Sequence, residues 1–197
     1  MRDTELQINL SNLSHNLNIL KENTTSEIQG VLKAFSYGLE INEVVEVIDE
    51  YVSCYSVMSM DEAILVRNKS SKPILLLQGV YDLDEYKEVL KYDLDFVIHS
   101  DWQLKNLEEG LKNNRLWLKL NTGLNRLGFN AEKFERTIKT LEQKGFSNLV
   151  LMSHFACADE KGHPLNNKQL QLFEKVTKKF SYKKLSLIHI SEPTRRI

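Results

Sequence analysis

Short apolar, β-branched runs alternate with helix-period segments along this 197-residue chain. EIQGVLKAF, CYSVMSM, PILLLQG, DFVIHS, RLWLKLN and NLVLMSHF read as strands. Each is followed by a segment whose apolar residues recur at helical steps. The first, INEVVEVIDEYV, sets Ile41, Val44, Val45, Ile48 and Tyr51 on one face. DEAILVRN, DLDEYKEVLKYD, DWQLKNLEEGLKN, AEKFERTIKTLEQKG and NNKQLQLFEKVTKKF follow in turn. Ahead of them, Leu10, Leu13, Leu17 and Leu20 predict a first helix with Ser11 as its N-cap. KKLSLI begins a seventh strand. Runs such as ILLL and LVLM are apolar throughout rather than alternating, so both faces of their strands are covered. Regular βα alternation means a parallel sheet with right-handed crossovers. A doubly wound open sheet and a (β/α)8 barrel both satisfy that rule, and the strand count favours the TIM-type barrel, truncated after about six βα units. No Pro-, Gly- or Ser-rich linker divides the chain.

Composition narrows the function. Net charge is −1, from 26 Lys and Arg against 27 Asp and Glu, and the two signs are interleaved in KNLEEGLKNNR and EKFERTIKTLEQK. Nucleic-acid binding needs a concentrated basic surface, so no nucleic acid is expected. No stretch approaches about 18 uninterrupted apolar residues, so no membrane span is expected. The polar N-terminus lacks a secretory h-region, which makes the cytoplasm the expected location. Cys54 and Cys157, in apolar surroundings, read as small buried thiols. No GxGxxG, Walker or G-x-S-x-G motif is present. HFACADEKGH lacks a recognised zinc spacing, so no metal is expected.

Catalytic residues of such barrels gather at the C-terminal ends of the strands. There the sequence places Lys33 at the end of the first strand with Tyr37 after it, His99 at the end of the fourth, Lys119 and Arg126 at and after the fifth, and His154 at the end of the sixth. Lysines inside the apolar runs VLKAF and LWLKL stand out, because a buried ammonium is costly unless paired or functional. A strand-end lysine that reaches solvent is one reading of Lys33. The other is a desolvated amine able to attack an aldehyde. His154 is either a hydrogen-bonded histidine at the core edge or a ring that flanks a planar cofactor.

Three segments at these strand ends resemble signatures of the alanine racemases. VLKAFSYG resembles V-x-K-A-x-x-Y-G, LKLNTGLNRLGF resembles L-K-x-D-T-G-M-x-R-L-G, and MSHFACADE resembles S/T-H-F-A-x-A-D-E. They occur in the family's order, and the match runs from about the first helix to Leu187. The resemblance implies a fold-type III pyridoxal-phosphate enzyme, an isomerase that interconverts L- and D-alanine to supply D-alanine for peptidoglycan. It implies that Lys33 holds pyridoxal phosphate and acts as one of two opposed bases. By the same resemblance Tyr37 contacts the cofactor phosphate, and Arg126 lies near the cofactor's phenolic oxygen and the substrate carboxylate. Lys119 would be a lysine that many members carbamylate, and His154 would lie against the cofactor ring. The second base is, in the family, a tyrosine from the partner subunit's β-rich C-terminal domain, in a homodimer.

Asn121 stands where the family usually has Asp, Leu124 where Met is usual, and Phe35-Ser36 where Asn-Ala is commoner. LSLIHISEPTRRI departs from the family's continuation. The expected organisation is therefore a partial racemase-like barrel over residues 1–187, a non-native tail over 188–197, and no C-terminal β domain. A fragment of this kind is expected to be inactive alone. Two other readings of the motifs are a broad-specificity or serine racemase and a non-catalytic pyridoxal-phosphate-binding barrel of cofactor homeostasis. The last is a soluble α/β interaction domain with exposed strand-end lysines.

Overall fold

The computed structural model describes residues 7–160 and 162–187. The expected tail, 188–197, lies outside the described residues. Two compact units make up the chain. The first comprises residues 1–78 and 84–95, the second 79–83 and 96–197.

In the first unit, β1 (Gln29–Val31), β2 (Cys54–Val57) and β3 (Ile74–Leu76) pair in parallel, with Gly30 opposite Tyr55 and Ser56 opposite Leu75. All three residues of β3 are buried, as its unbroken apolar run requires. The helix Ile41–Ile48 turns Ile41, Val44, Val45 and Ile48 inward. Burying each such side chain contributes about 1.5–3 kcal/mol. Ser59 caps the helix Met60–Arg67 through a full capping box with Glu62.

In the second unit, β4 (Asp95–Ile98), β5 (Leu116–Lys119), β6 (Leu149–His154) and β7 (Lys183–Leu187) are parallel neighbours in chain order. The helices Ala131–Gln143 and Pro164–Thr177 bury Phe134, Ile138 and Leu141, and Phe173 and Val176, respectively. Among the described residues the strands of each unit are neighbours in chain order, the order of a barrel and not of a doubly wound sheet, which reverses.

Several local expectations are corrected. The first helix, Leu10–Glu22, is capped by Asn9 and not Ser11; the Asn9 carboxamide oxygen accepts from Asn12 N, and the Ser11 hydroxyl donates to that same oxygen at 2.6 Å. Asn can accept at the cap two residues earlier and leaves Leu10 inside the first turn. β1 stops at Val31, short of the lysine. Residues 101–113 form a short helix, Asp101–Lys105, and a separate 3-10 turn, Glu109–Asn113, rather than one helix. Cys54 and Cys157 are half-buried free thiols rather than core residues.

Structural polar groups sit near the start of β2 and at the far end of the helix Met60–Arg67. Tyr55 and Ser70 hydroxyls donate to Asp49 Oδ1 at 2.9 and 2.6 Å, and Lys72 Nζ donates to the Asp49 and Val52 carbonyls. The Arg67 guanidinium clamps four carbonyls, those of Ser70, Lys72, Tyr92 and Asp93. These contacts stabilise the loops entering the strands and leave the strand C-termini to carry chemistry.

Candidate functional site

The chain leaves β1 through Leu32 and enters a left-handed turn. Ala34, Phe35, Ser36 and Tyr37 all have φ between 48° and 60°, and Gly38 follows at φ 90°. An L-residue in this region costs roughly 1–2 kcal/mol, so four in succession store several kcal/mol. Such strain persists where the surroundings over-determine it, and it clusters at functional sites. Lys33 heads this turn. It is half-buried, and its Nζ stands 5.6 Å from the centroid of the exposed Tyr37 ring, within cation–π range. The strand segment EIQGVLKAF gives no sign of this turn, because none of Ala34, Phe35, Ser36 and Tyr37 is a glycine or asparagine that would mark a left-handed backbone.

Ser36 and Phe35 backbone N–H groups help to hold the turn. Ser36 N donates to the Leu32 carbonyl at 3.0 Å. Phe35 N donates to Glu62 Oε1 at 3.0 Å, while Glu62 Oε2 accepts from Met58 N and Ser59 N at 2.8 and 3.2 Å. Glu62 is only 3% exposed. The Ser36 hydroxyl is buried without a hydrogen-bond partner.

In the second unit, β5 ends on Lys119, which is 5% exposed. Burial first, and the positive Arg126 second, push its pKa down to about 8. Near neutral pH Lys119 is therefore still mostly charged, with a minor uncharged fraction that grows as the pH approaches 8. Arg126 itself is exposed on the loop that follows. That loop folds back on the strand: Phe129 N donates to the Lys119 carbonyl at 2.9 Å, and Asn121 N donates to the Phe129 carbonyl at 2.8 Å. Gly128 makes the return possible, since a Cβ there would stand 2.9 Å from Asn121 N and 3.0 Å from the Lys119 carbonyl oxygen. Asn121 organises the rest. Its side-chain oxygen accepts from Gly123 N and Asn125 N, as a carboxylate could, and its amide donates to Asn125 Oδ1, which a carboxylate could not.

β6 ends on the half-buried His154. Gln169, only 1% exposed, reaches it from the helix Pro164–Thr177. Its amide nitrogen donates to the His154 carbonyl and to Thr122 Oγ1, and its oxygen accepts from Ala156 N. Thr122 and Ser153 hydroxyls share a 2.7 Å hydrogen bond, and Ser153 donates on to the Leu120 carbonyl. Gln169 thus ties the loop that carries Arg126 to the strand end that carries His154. His163, in the segment weighed for a metal, instead caps the helix, its Nδ1 accepting from Leu165 N.

Lys33 and Tyr37 thus meet in the first unit, and Lys119 and Arg126 in the second, with His154 bound to the same polar network as the Arg126 loop. Glu62 and Gln169 were not anticipated. The Ser59-x-x-Glu62 spacing carries a capping-box signal that could have found the first. Gln169 has no local signal.

The family model described as "Alanine racemase, N-terminal domain" matches residues 8–192. The chain belongs to the alanine racemase N-terminal domain family. It is 37% identical over 176 residues to an alanine racemase of Vesicomyosocius okutanii, covering 88% of this chain and 50% of that one. It is 32% identical over 182 residues to an alanine racemase of Pseudomonas syringae, covering 90% and 51%. The solved biosynthetic alanine racemase of Pseudomonas aeruginosa superposes with a TM-score of 0.83 at 34% identity, covering 90% of this chain and 51% of that one. The alanine racemase of Acinetobacter baumannii gives the same TM-score at 29% identity, covering 91% and 55%. The chain spans about half the length of the curated relatives it matches. Its fold is the N-terminal TIM-type barrel portion of alanine racemases, as the βα alternation led one to expect.

Proposed function

We propose that this chain carries the cofactor-holding part of a pyridoxal-phosphate-dependent alanine racemase, a cytoplasmic homodimeric enzyme that supplies D-alanine for the cell wall. The observation that carries the reading is Lys33: a half-buried lysine just past β1, set on a strained left-handed turn, in a chain of this family. The residues suit the group. Lys33 is an amine that is not fully solvated, as attack on an aldehyde requires, and the half-buried His154 and exposed Arg126 could meet the ring and an anionic oxygen.

Pyridoxal phosphate, when bound, withdraws electrons so that the amino acid's Cα–H becomes acidic. Lys33 holds the cofactor and moves the Cα proton on one face. Tyr37 would contact the cofactor's phosphate. Arg126 recognises the phenolic oxygen and the substrate carboxylate, and its exposure leaves it free to turn toward an anion. His154 would lie against the ring. Lys119, with a pKa near 8, takes up carbon dioxide: its neutral nitrogen forms a C–N bond, one proton leaves, and the carbamate anion orients Arg126.

Titration with pyridoxal phosphate, followed by the cofactor's absorbance, tests this reading. Binding is expected to saturate, and pyridoxal without its phosphate is expected to bind about tenfold more weakly, the loss of at least one charge-assisted contact. An absorbance change that never saturates, or equal binding of the two aldehydes, would overturn the assignment.

A further inference from the structure

A left-handed turn of four non-glycine residues needs an anchor outside itself, and the structure supplies one. We propose that Glu62 is a positioning residue for Lys33, its buried carboxylate fixing the turn that presents the amine. The inference rests on reading Lys33 as the cofactor lysine and deepens that reading.

Three arguments support it. Glu62 Oε1 is the hydrogen-bond acceptor of Phe35 N, in the middle of the turn, and Oε2 binds Met58 N and Ser59 N beyond β2. One side chain therefore locks the loop after β1 to the loop after β2. Among the described residues no cation pairs with this carboxylate, so backbone N–H groups stabilise its charge.

The same device recurs in the second unit with its chemistry adjusted. Gln103, on the helix after β4, accepts from His99 N at 2.9 Å and donates to the Val80 carbonyl at 3.3 Å. Gln169, on the helix after β6, accepts from Ala156 N and donates to the His154 carbonyl. Where the partners include both N–H and C=O, the side chain is an amide. Where every partner is N–H, it is a carboxylate, which only accepts. Glu62 is thus matched to its three donors, and a glutamine there would set its own N–H against one of them.

The test compares the chain with its Glu62→Gln and Gln103→Glu variants by pyridoxal-phosphate titration and by thermal unfolding. Glu62→Gln is expected to weaken cofactor binding about tenfold or more. Gln103→Glu places a comparable polarity mismatch in the second unit, outside the turn that follows Lys33, so it is expected to lower the unfolding temperature while leaving binding within about twofold. Equal binding by the parent and Glu62→Gln overturns the positioning role alone. Failure of the parent to bind overturns the cofactor reading as well. Amide hydrogen exchange in the parent gives a readout that needs neither cofactor nor variant. Phe35 N–H is expected to exchange about tenfold or more slowly than an unprotected amide, and exchange at the unprotected rate would overturn the contact however the variants fold.

Discussion

Lys119→Met is expected to stabilise the protein at pH 7 by about 1–3 kcal/mol. It is also expected to abolish a rise in stability that the parent shows between about pH 8 and 10.5. Lys119 is buried, its pKa is lowered by desolvation and by Arg126, and among the described residues no carboxylate pairs with it. The sign follows from linkage. Between the folded value near 8 and the ordinary 10.5, the unfolded chain binds a proton that the folded chain does not. Stability therefore rises with pH across that window and is lowest below it, where the buried amine must be charged. Methionine fills similar space without a charge. Urea unfolding from pH 7 to 10.5 in carbon-dioxide-free buffer measures both effects. A parent whose stability is flat across that window, or a variant that is less stable at pH 7, would show that Lys119 is paired. Bicarbonate is expected to reduce the variant's advantage, because a carbamate at Lys119 gives Arg126 an anion to bind.

Gln169→Leu is expected to cost about 2–4 kcal/mol, from unpaired backbone groups at His154 and Ala156 and a lost donor to Thr122. A domain's whole stability is about 5–15 kcal/mol, so the fall in urea midpoint would be large. Gln169→Glu sharpens the test. It keeps the shape and the acceptor for Ala156 N but turns an oxygen toward the His154 carbonyl, which already needs a donor. Both variants are expected to be destabilised. A Glu variant as stable as the parent would mean that the amide hydrogen of Gln169 does not bridge the two strand ends.

Much of the fold was legible in the sequence because its signals are local. The spacing of Ile41, Val44, Val45 and Ile48 has one helical reading, and ILL of β3 is buried throughout as an unbroken apolar run must be. The lysines of VLKAF and LWLKL were flagged because burial of an ammonium is costly, and Lys119 proves to be 5% exposed. What escaped depends on partners distant in sequence. The turn after Lys33 defies the conformational preference of four residues and exists because Glu62 receives Phe35 N–H. The break after Lys105 was hidden because Leu107 and Leu111 continue the helical period of Leu104 while the backbone leaves it. Gln169 is one of several polar residues in NNKQLQLFEKVTKKF with nothing local to single it out, yet it is 1% exposed and joins two loops.

Borohydride reduction of the chain loaded with pyridoxal phosphate, followed by peptide mapping, tests the central claim most directly. The pyridoxyl group is expected on Lys33, and the Lys33→Ala variant is expected to lose that label while keeping its fold. A label spread over exposed lysines such as Lys87 and Lys91 in proportion to their accessibility, or a Lys33→Ala variant labelled as well as the parent, would contradict it.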